Sequence, residues 1–164
     1  MDAGPAIDLS AAVMAEMLHE VVIGAPAHRV YAALTTREGL RGWWTEDTEA
    51  EPRVGSVALF GFGKRATVFR MRIDDLVPGR RIVWSCEGEP GEWQDTQLTF
   101  ELAPTPNGGT RLRFTHAGWR SPDGCFATCN SRWGVLMHRL KAYAEGEEPG
   151  PHFPAGGWPA VRAR

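Results

Sequence analysis

The spacing of apolar positions changes twice along the chain, and each change marks a different kind of element. Residues 13–23 carry a β-rich run, His19-Glu20-Val21-Val22-Ile23, that stops at the breaker cluster Gly24-Ala25-Pro26. This predicts a first strand. Pro26 suits the first turn of a helix, and Ala27, Val30, Tyr31 and Leu34 follow at i, i+3, i+4 and i+7, the spacing of one buried stripe. Thr36-Arg37-Glu38-Gly39 interrupts that helix, after which Leu40, Trp43 and Trp44 supply one further helical turn with a heavy aromatic end.

Between Glu46 and Trp119 the period falls to two, with Gly, Pro and Asn clusters separating the runs. Strands are expected over 54–62, 66–76, 81–86, 93–102 and 110–116, with a short one near Thr48. Phe69, Met71 and Ile73 share one face while Arg70, Arg72 and Asp74 share the other. The same alternation aligns Ile82, Trp84 and Cys86, then Leu98, Phe100 and Leu102, then Leu112, Phe114 and His116, with Arg111 and Arg113 turned outward. One antiparallel sheet with one covered face fits them all. Gly61-Phe62-Gly63-Lys64, Pro78-Gly79 and Asn107-Gly108-Gly109 provide the turns.

A long helix should close the domain. Ser121-Pro122-Asp123 has the chemistry of a helix start, and Phe126, Cys129, Trp133, Leu136, Met137, Leu140, Tyr143 and Ala144 form one stripe until Gly146 and Pro149 end it. Over 121–145 such a helix would be roughly 37 Å long at ~1.5 Å per residue. Leu140→Asp should then damage the fold severely. Eight of the last 20 residues are Gly or Pro, so 147–164 reads as an irregular tail, pinned where Phe153 and Trp158 find a surface. The order of elements predicts an α+β helix-grip fold: a curved antiparallel sheet wrapped around a long C-terminal helix, in one domain spanning 1–164 with its core at about 13–146.

Composition narrows function mainly by exclusion. Eighteen Lys and Arg against 20 Asp and Glu give a net charge of −2, which offers no general attraction to nucleic acid or anionic lipid. The longest stretch without Asp, Glu, Lys or Arg, 149–161, is rich in Pro and Gly, so no membrane span is expected. With no Lys or Arg before Arg29, neither a secretory signal nor a transit peptide is expected, and three cysteines suit a reducing compartment. The expected location is cytoplasmic.

The segment from Ile23 to Thr35, Ile-Gly-Ala-Pro-Ala-His-Arg-Val-Tyr-Ala-Ala-Leu-Thr, followed by Leu40-Arg41-Gly42-Trp43-Trp44, resembles the opening of START-like proteins of the SRPBCC superfamily. Within it, the chain is most similar to the branch of homologues of the activator of the heat-shock protein 90 ATPase. Gly118-Trp119 and the run from Trp133 to Tyr143 match that branch's closing helix and the strand before it. The resemblance spans about 13–145 and rests on packing and turn residues, so it speaks to fold more than to activity. It implies a cavity between sheet and long helix for an apolar or amphipathic ligand, with no cofactor. Trp44, Phe69, Met71, Trp84, Phe114, His116, Trp133 and Met137 would line it. Some distant relatives catalyse cyclisation or dehydration of polyketides in this space. The co-chaperone that names the branch carries a further N-terminal domain not found in these 164 residues. Expectation therefore rests on the cavity rather than on chaperone activation.

Each candidate group also has a plainer reading. His116 is the only histidine expected on the covered face; it could orient a ligand, act as the acid/base of a cyclase or dehydratase, or simply sit half-buried on a backbone hydrogen bond. Cys125 and Cys129 could share a metal with Cys86, yet structural zinc wants four ligands and no C-x-x-C accompanies them, so core packing without metal is expected. Glu87, Glu89, Glu92 and Asp95 could form an acid/base pair or a cation site, and a solvated loop is the simpler account. Gly61-Phe62-Gly63-Lys64 feeds a strand rather than a helix, which removes a phosphate loop. Among the seven tryptophans, Trp43, Trp84 and Trp133 could fill core volume, and Trp84 and Trp133 could equally line a pocket. Two partner readings stay open: a homodimer, and a chaperone partner that would use the outer sheet face with Arg70, Arg72, Arg111 and Arg113.

Overall fold

The structure is a computed structural model describing residues 15–88 and 91–156; Val13, Glu89 and Trp158, which figured in the expectations, lie outside them. The elements run β1 (Ala15–Ile23), α1 (Ala27–Thr35), α2 (Arg37–Trp43), β2 (Thr48–Glu49), β3 (Val57–Phe62), β4 (Thr67–Val77), β5 (Arg81–Glu87), β6 (Gln97–Pro104), β7 (Thr110–Trp119) and α3 (Phe126–Ala144). The strands form one curved antiparallel sheet in the order β1-β7-β6-β5-β4-β3-β2, so β2 to β7 are a meander and β1 returns beside β7. This is the helix-grip fold.

Register follows from burial. Phe100 lies opposite Phe114, Leu98 opposite His116 and Leu102 opposite Leu112, so the buried sets of β6 and β7 coincide across the ladder. A slip of one residue would turn the three buried side chains of the slipped strand outward, which is why the alternation fixes the pairing. On the far face Arg72 pairs with Asp74 and Glu87, and Arg111 with Glu20. Against the covered face α3 buries Trp133, Leu136, Met137, Leu140 and Ala144.

Several boundaries differ from the expectation: β3 begins at Val57 rather than 54, β7 runs on to Trp119 rather than stopping at 116, and three further differences bear on the site. The break between the first two helices is narrow: Thr36 ends α1 and caps α2, its hydroxyl accepting from Gly39 N–H at 3.0 Å. Strand β6 begins at Gln97, because residues 91–95 form a turn that folds Trp93 into the core. The long helix begins at Phe126, not Ser121, and its 19 residues span about 28 Å. The Ser121 hydroxyl instead closes a local turn, accepting from Asp123 N–H at 3.0 Å and donating to the Asp123 carboxylate at 3.0 Å. Gly124 then takes a φ of +69°, with the Glu92 carboxylate so close that a Cβ would stand 2.1 Å from its Oε1. Glu92 accepts from Cys125 N–H at 3.2 Å. A carboxylate from a distant turn thus faces the positive end of the helix.

After α3 the chain doubles back along its own helix. Arg139 donates to the carbonyls of Pro149 and Gly150 at 2.8 and 2.6 Å, and Phe153 exchanges backbone bonds with Trp44 and Glu46 at 2.9 and 3.0 Å. Phe153 is 6% exposed. Truncation after Glu148 should leave a protein that still melts cooperatively, because the sheet and α3 keep one another covered. Losing one buried phenylalanine and its backbone bonds should cost about 3 kcal/mol, roughly 6–12 °C in melting temperature. Calorimetry of the truncated chain checks this.

Candidate functional site

The middle of the covered face is solid. Met71, Trp84, Phe114, His116 and Met137 are each at most 1% exposed and belong to one continuous core. Large rings interlock there: Phe114 sits 4.5 Å from Trp133, Trp84 5.0 Å from Phe100, and Trp44 4.3 Å from Phe60, centroid to centroid. Tilted and edge-on packing lets these side chains reach full density without holding the sheet away from the helix. The space between sheet and helix is therefore filled around these five residues.

Open space lies at one end, where the β3–β4 hairpin, the 91–95 turn, the first turns of α3 and the returning C-terminal segment meet. A cavity of about 290 Å³ opens there. Five rings wall it in a closed circuit. Trp44 to Phe62 is 6.1 Å, Phe62 to Phe69 5.1 Å, Phe69 to Trp93 4.1 Å, Trp93 to Trp133 6.1 Å, and Trp133 back to Trp44 5.2 Å. Phe153 adds a sixth ring edge-on to Phe62 at 4.9 Å. Exposed Ala66 and Thr67 mark the mouth.

Sequence and fold set this wall together. The hairpin tip carries positive φ at Gly63, Lys64 and Arg65 (58°, 56° and 64°), a strained turn held by Arg65, which donates to Asp47 at 2.9 and 2.8 Å and to Glu49 at 2.8 Å. Asp47 reaches the hairpin because Gly61 leaves room; a Cβ there would stand 2.2 Å from Oδ2. On α3, Cys129, Arg132, Trp133 and Leu136 fall at i, i+3, i+4 and i+7 and turn one face to the cavity.

Of the eight residues expected to line a pocket, Trp44, Phe69 and Trp133 do so; Met71, Trp84, Phe114, His116 and Met137 are in the filled core instead. Period-two patterning gave their face correctly but could not say where on that face packing fails. Phe62, Trp93, Arg132 and Phe153 were not assigned to the lining. For Arg132 a signal existed, since it stands three residues after Cys129 and next to Trp133 on the helix.

His116 is fully buried among rings, 4.7 Å from Trp93 and 4.8 Å from Trp119. The Thr96 hydroxyl donates to the Trp93 carbonyl at 2.6 Å, so toward His116 Nε2, 2.8 Å away, it can only accept. The imidazole is therefore the neutral Nε2–H tautomer. Nδ1 is buried with no hydrogen-bond partner among the described residues, and burial pushes the ring's pKa down to about 3. Such a group does not line the cavity and carries no charge at neutral pH.

Cys86 is buried, and Cys125 and Cys129 are part-buried against the core; burial, with Asp95 and Glu87 adding, pushes the Cys86 pKa up to about 11, and burial followed by hydrogen bonds to Glu92 and Cys129 raises that of Cys125. The acidic group between β5 and β6 is dispersed, Glu87 pairing with Arg72, Glu92 with the start of α3, and Asp95 with Arg120 at 3.7 Å. No helix among the described residues is long and apolar enough to cross a membrane.

A family model described as Activator of Hsp90 ATPase homolog 1-like protein matches residues 24–145. The chain belongs to this family. The solution structure of the Aha1 dimer from Colwellia psychrerythraea is 33% identical, with 81% of this chain and 98% of that one covered and a TM-score of 0.74. Protein CV1439 from Chromobacterium violaceum is 26% identical, with 80% and 98% covered and a TM-score of 0.68. CalU16 from Micromonospora echinospora shares the fold at 20% identity, with 85% and 79% covered and a TM-score of 0.68. The curated proteins hold no match to this chain. Phe153 lies beyond the residues the family model matches, so one cavity wall comes from outside the shared segment.

Proposed function

We propose that the chain binds a small apolar or amphipathic molecule in the ring-walled cavity, without a cofactor and without catalysing a reaction on it. The closed circuit of Trp44, Phe62, Phe69, Trp93 and Trp133 carries this reading, because five aromatic faces around about 290 Å³ offer a small apolar body extensive contact. A cyclase or dehydratase would need its acid/base within reach of the ligand, and His116 is fully buried behind Trp93 and is not part of that lining. Family membership supports a second reading, a partner of a chaperone ATPase. The outer sheet face such a partner would use has Arg72 and Arg111 already engaged in ion pairs, and the cavity remains the favoured site. A cytoplasmic setting belongs to the same proposal.

An uncharged fluorescent probe, N-phenyl-1-naphthylamine, tests it. Saturable binding is expected, and Cys129→Trp or Thr67→Trp, which add a ring to opposite walls, should weaken it about tenfold or more while melting stays cooperative. Undiminished binding in both variants would place the probe elsewhere and end the proposal.

A further inference from the structure

Two of the three cysteines meet at the start of α3, beside the cavity. Cys125 occupies the position just before the helix and Cys129 follows one turn later, its N–H donating to the Cys125 carbonyl at 2.8 Å. That spacing puts the two Cβ atoms about 5–6 Å apart on one face. Cys129 lines the cavity one turn before Trp133. Cys125, half-buried, stands between Glu92 and Cys129 and is hydrogen-bonded to both. Both thiols are free. Among the described residues no cluster of three or more His, Cys, Asp and Glu could hold a metal ion, and two sulfurs are too few for structural zinc. A ligand for this pair must bring its remaining bonds with it. It must also leave no charge in a half-buried apolar wall, where burial raises the Cys125 pKa and disfavours its thiolate.

We infer that Cys125 and Cys129 form a dithiol site for a trivalent arsenical with an apolar substituent, the arsenic bridging the two sulfurs and the substituent lying in the ring circuit. The substituent's place rests on the binding reading, the arsenic's on the helix spacing. With the hydrated form R–As(OH)2, two As–S bonds form and two As–O bonds break. Each thiol proton leaves with a hydroxide as water, and arsenic stays trivalent, so no oxidant or reductant takes part. The product is neutral. Glu92, hydrogen-bonded to Cys125, can carry that thiol's proton to the departing hydroxide. Copper(I) held by the same two sulfurs would instead place a net negative charge beside the Glu92 carboxylate.

Phenylarsine oxide and methylarsine oxide test it. Intact-mass measurement should find one phenylarsine oxide per wild-type chain. Cys125→Ser and Cys129→Ser should each weaken it about a hundredfold, the loss of a second attachment point. Measured relative to a free dithiol such as dithiothreitol, the phenyl compound should bind the wild type about tenfold more tightly than the methyl one, because it buries the larger apolar body. Bound phenylarsine oxide should also block N-phenyl-1-naphthylamine, whereas Cys125→Ser, whose side chain is outside the lining, should still bind that probe. Melting temperature monitors folding of both variants. No adduct on the wild type, or wild-type affinity in either variant, would overturn the dithiol site. Equal relative affinity for the two arsenicals, or an adduct that leaves the naphthylamine bound, would overturn the place given to the substituent. The cavity reading is decided separately, by whether the wild type binds the naphthylamine at all.

Discussion

Leu140→Asp will abolish cooperative folding. Leu140 is fully buried at the centre of the α3 stripe, against the covered face of the sheet. The substitution removes a leucine whose truncation alone costs about 3–5 kcal/mol, and adds a carboxyl that must either stay charged without a partner or bind a proton at neutral pH. A total of roughly 5 kcal/mol or more reaches the lower range of whole-domain stability. Leu140→Met, similar in volume and apolar, should lose less than about 1.5 kcal/mol. Circular dichroism melts of the two variants decide it. A Leu140→Asp protein with a wild-type transition would mean that the stripe faces solvent and that α3 does not cover the sheet.

The stripe was legible because a helix must bury one face, and the residues that do so recur at helical spacing from Trp133 to Ala144. The strands were legible for the matching reason that Met71, Ile73, Phe100 and Phe114 alternate with charged or polar neighbours. Helix starts were not. Ser121-Pro122-Asp123 has cap chemistry, but that chemistry is local and serves a turn equally well, while the group that meets the true N-terminus, Glu92, comes from 33 residues away. No window of sequence contains both partners. Trp93 was displaced from β6 for the same reason, since what draws it inward is contact with Phe69, His116 and Trp133 on other elements.

The site was legible only as a face. Alternation tells which side of the sheet a residue occupies and says nothing about whether rings on that side interlock or leave a gap. A cavity was expected between sheet and long helix; tilted packing closed the centre and left space at the end, where a hairpin with three positive φ values and the returning chain stop the core from continuing. Cavity position is thus a property of how elements end. Phe153, in a Gly- and Pro-rich stretch with no periodicity, supplies a wall that pattern could not announce.

The second large effect concerns acid. His116 is neutral in the folded chain down to about pH 3, because protonating Nδ1 would charge a fully buried ring with no acceptor beside it among the described residues. In the unfolded chain the same imidazole titrates near 6.5. Above pH 6.5 neither state binds the proton, and the residue leaves stability unaffected. As pH falls from 6.5 toward 3, only the unfolded state binds it, so stability drops by up to about 1.4 kcal/mol per pH unit. Below pH 3 the loss levels off. Burial depresses His152 as well, adding loss of the same sign, whereas Glu145 and Glu92, whose pKa values are lowered mainly by their hydrogen bonds to Lys141 and Cys125, contribute at more acid pH. The informative window is therefore pH 6.5 to 5. Urea unfolding across it should show a loss of about 2 kcal/mol in the wild type and a much smaller one in His116→Phe, which keeps an aromatic ring and cannot titrate. The comparison is between slopes, so any constant penalty for fitting phenylalanine drops out. NMR of the His116 ring should show no titration over the same range. A ring that titrates near 6.5, or a His116→Phe slope equal to wild type, would mean that water reaches this histidine and that the centre of the covered face is not the closed core described above.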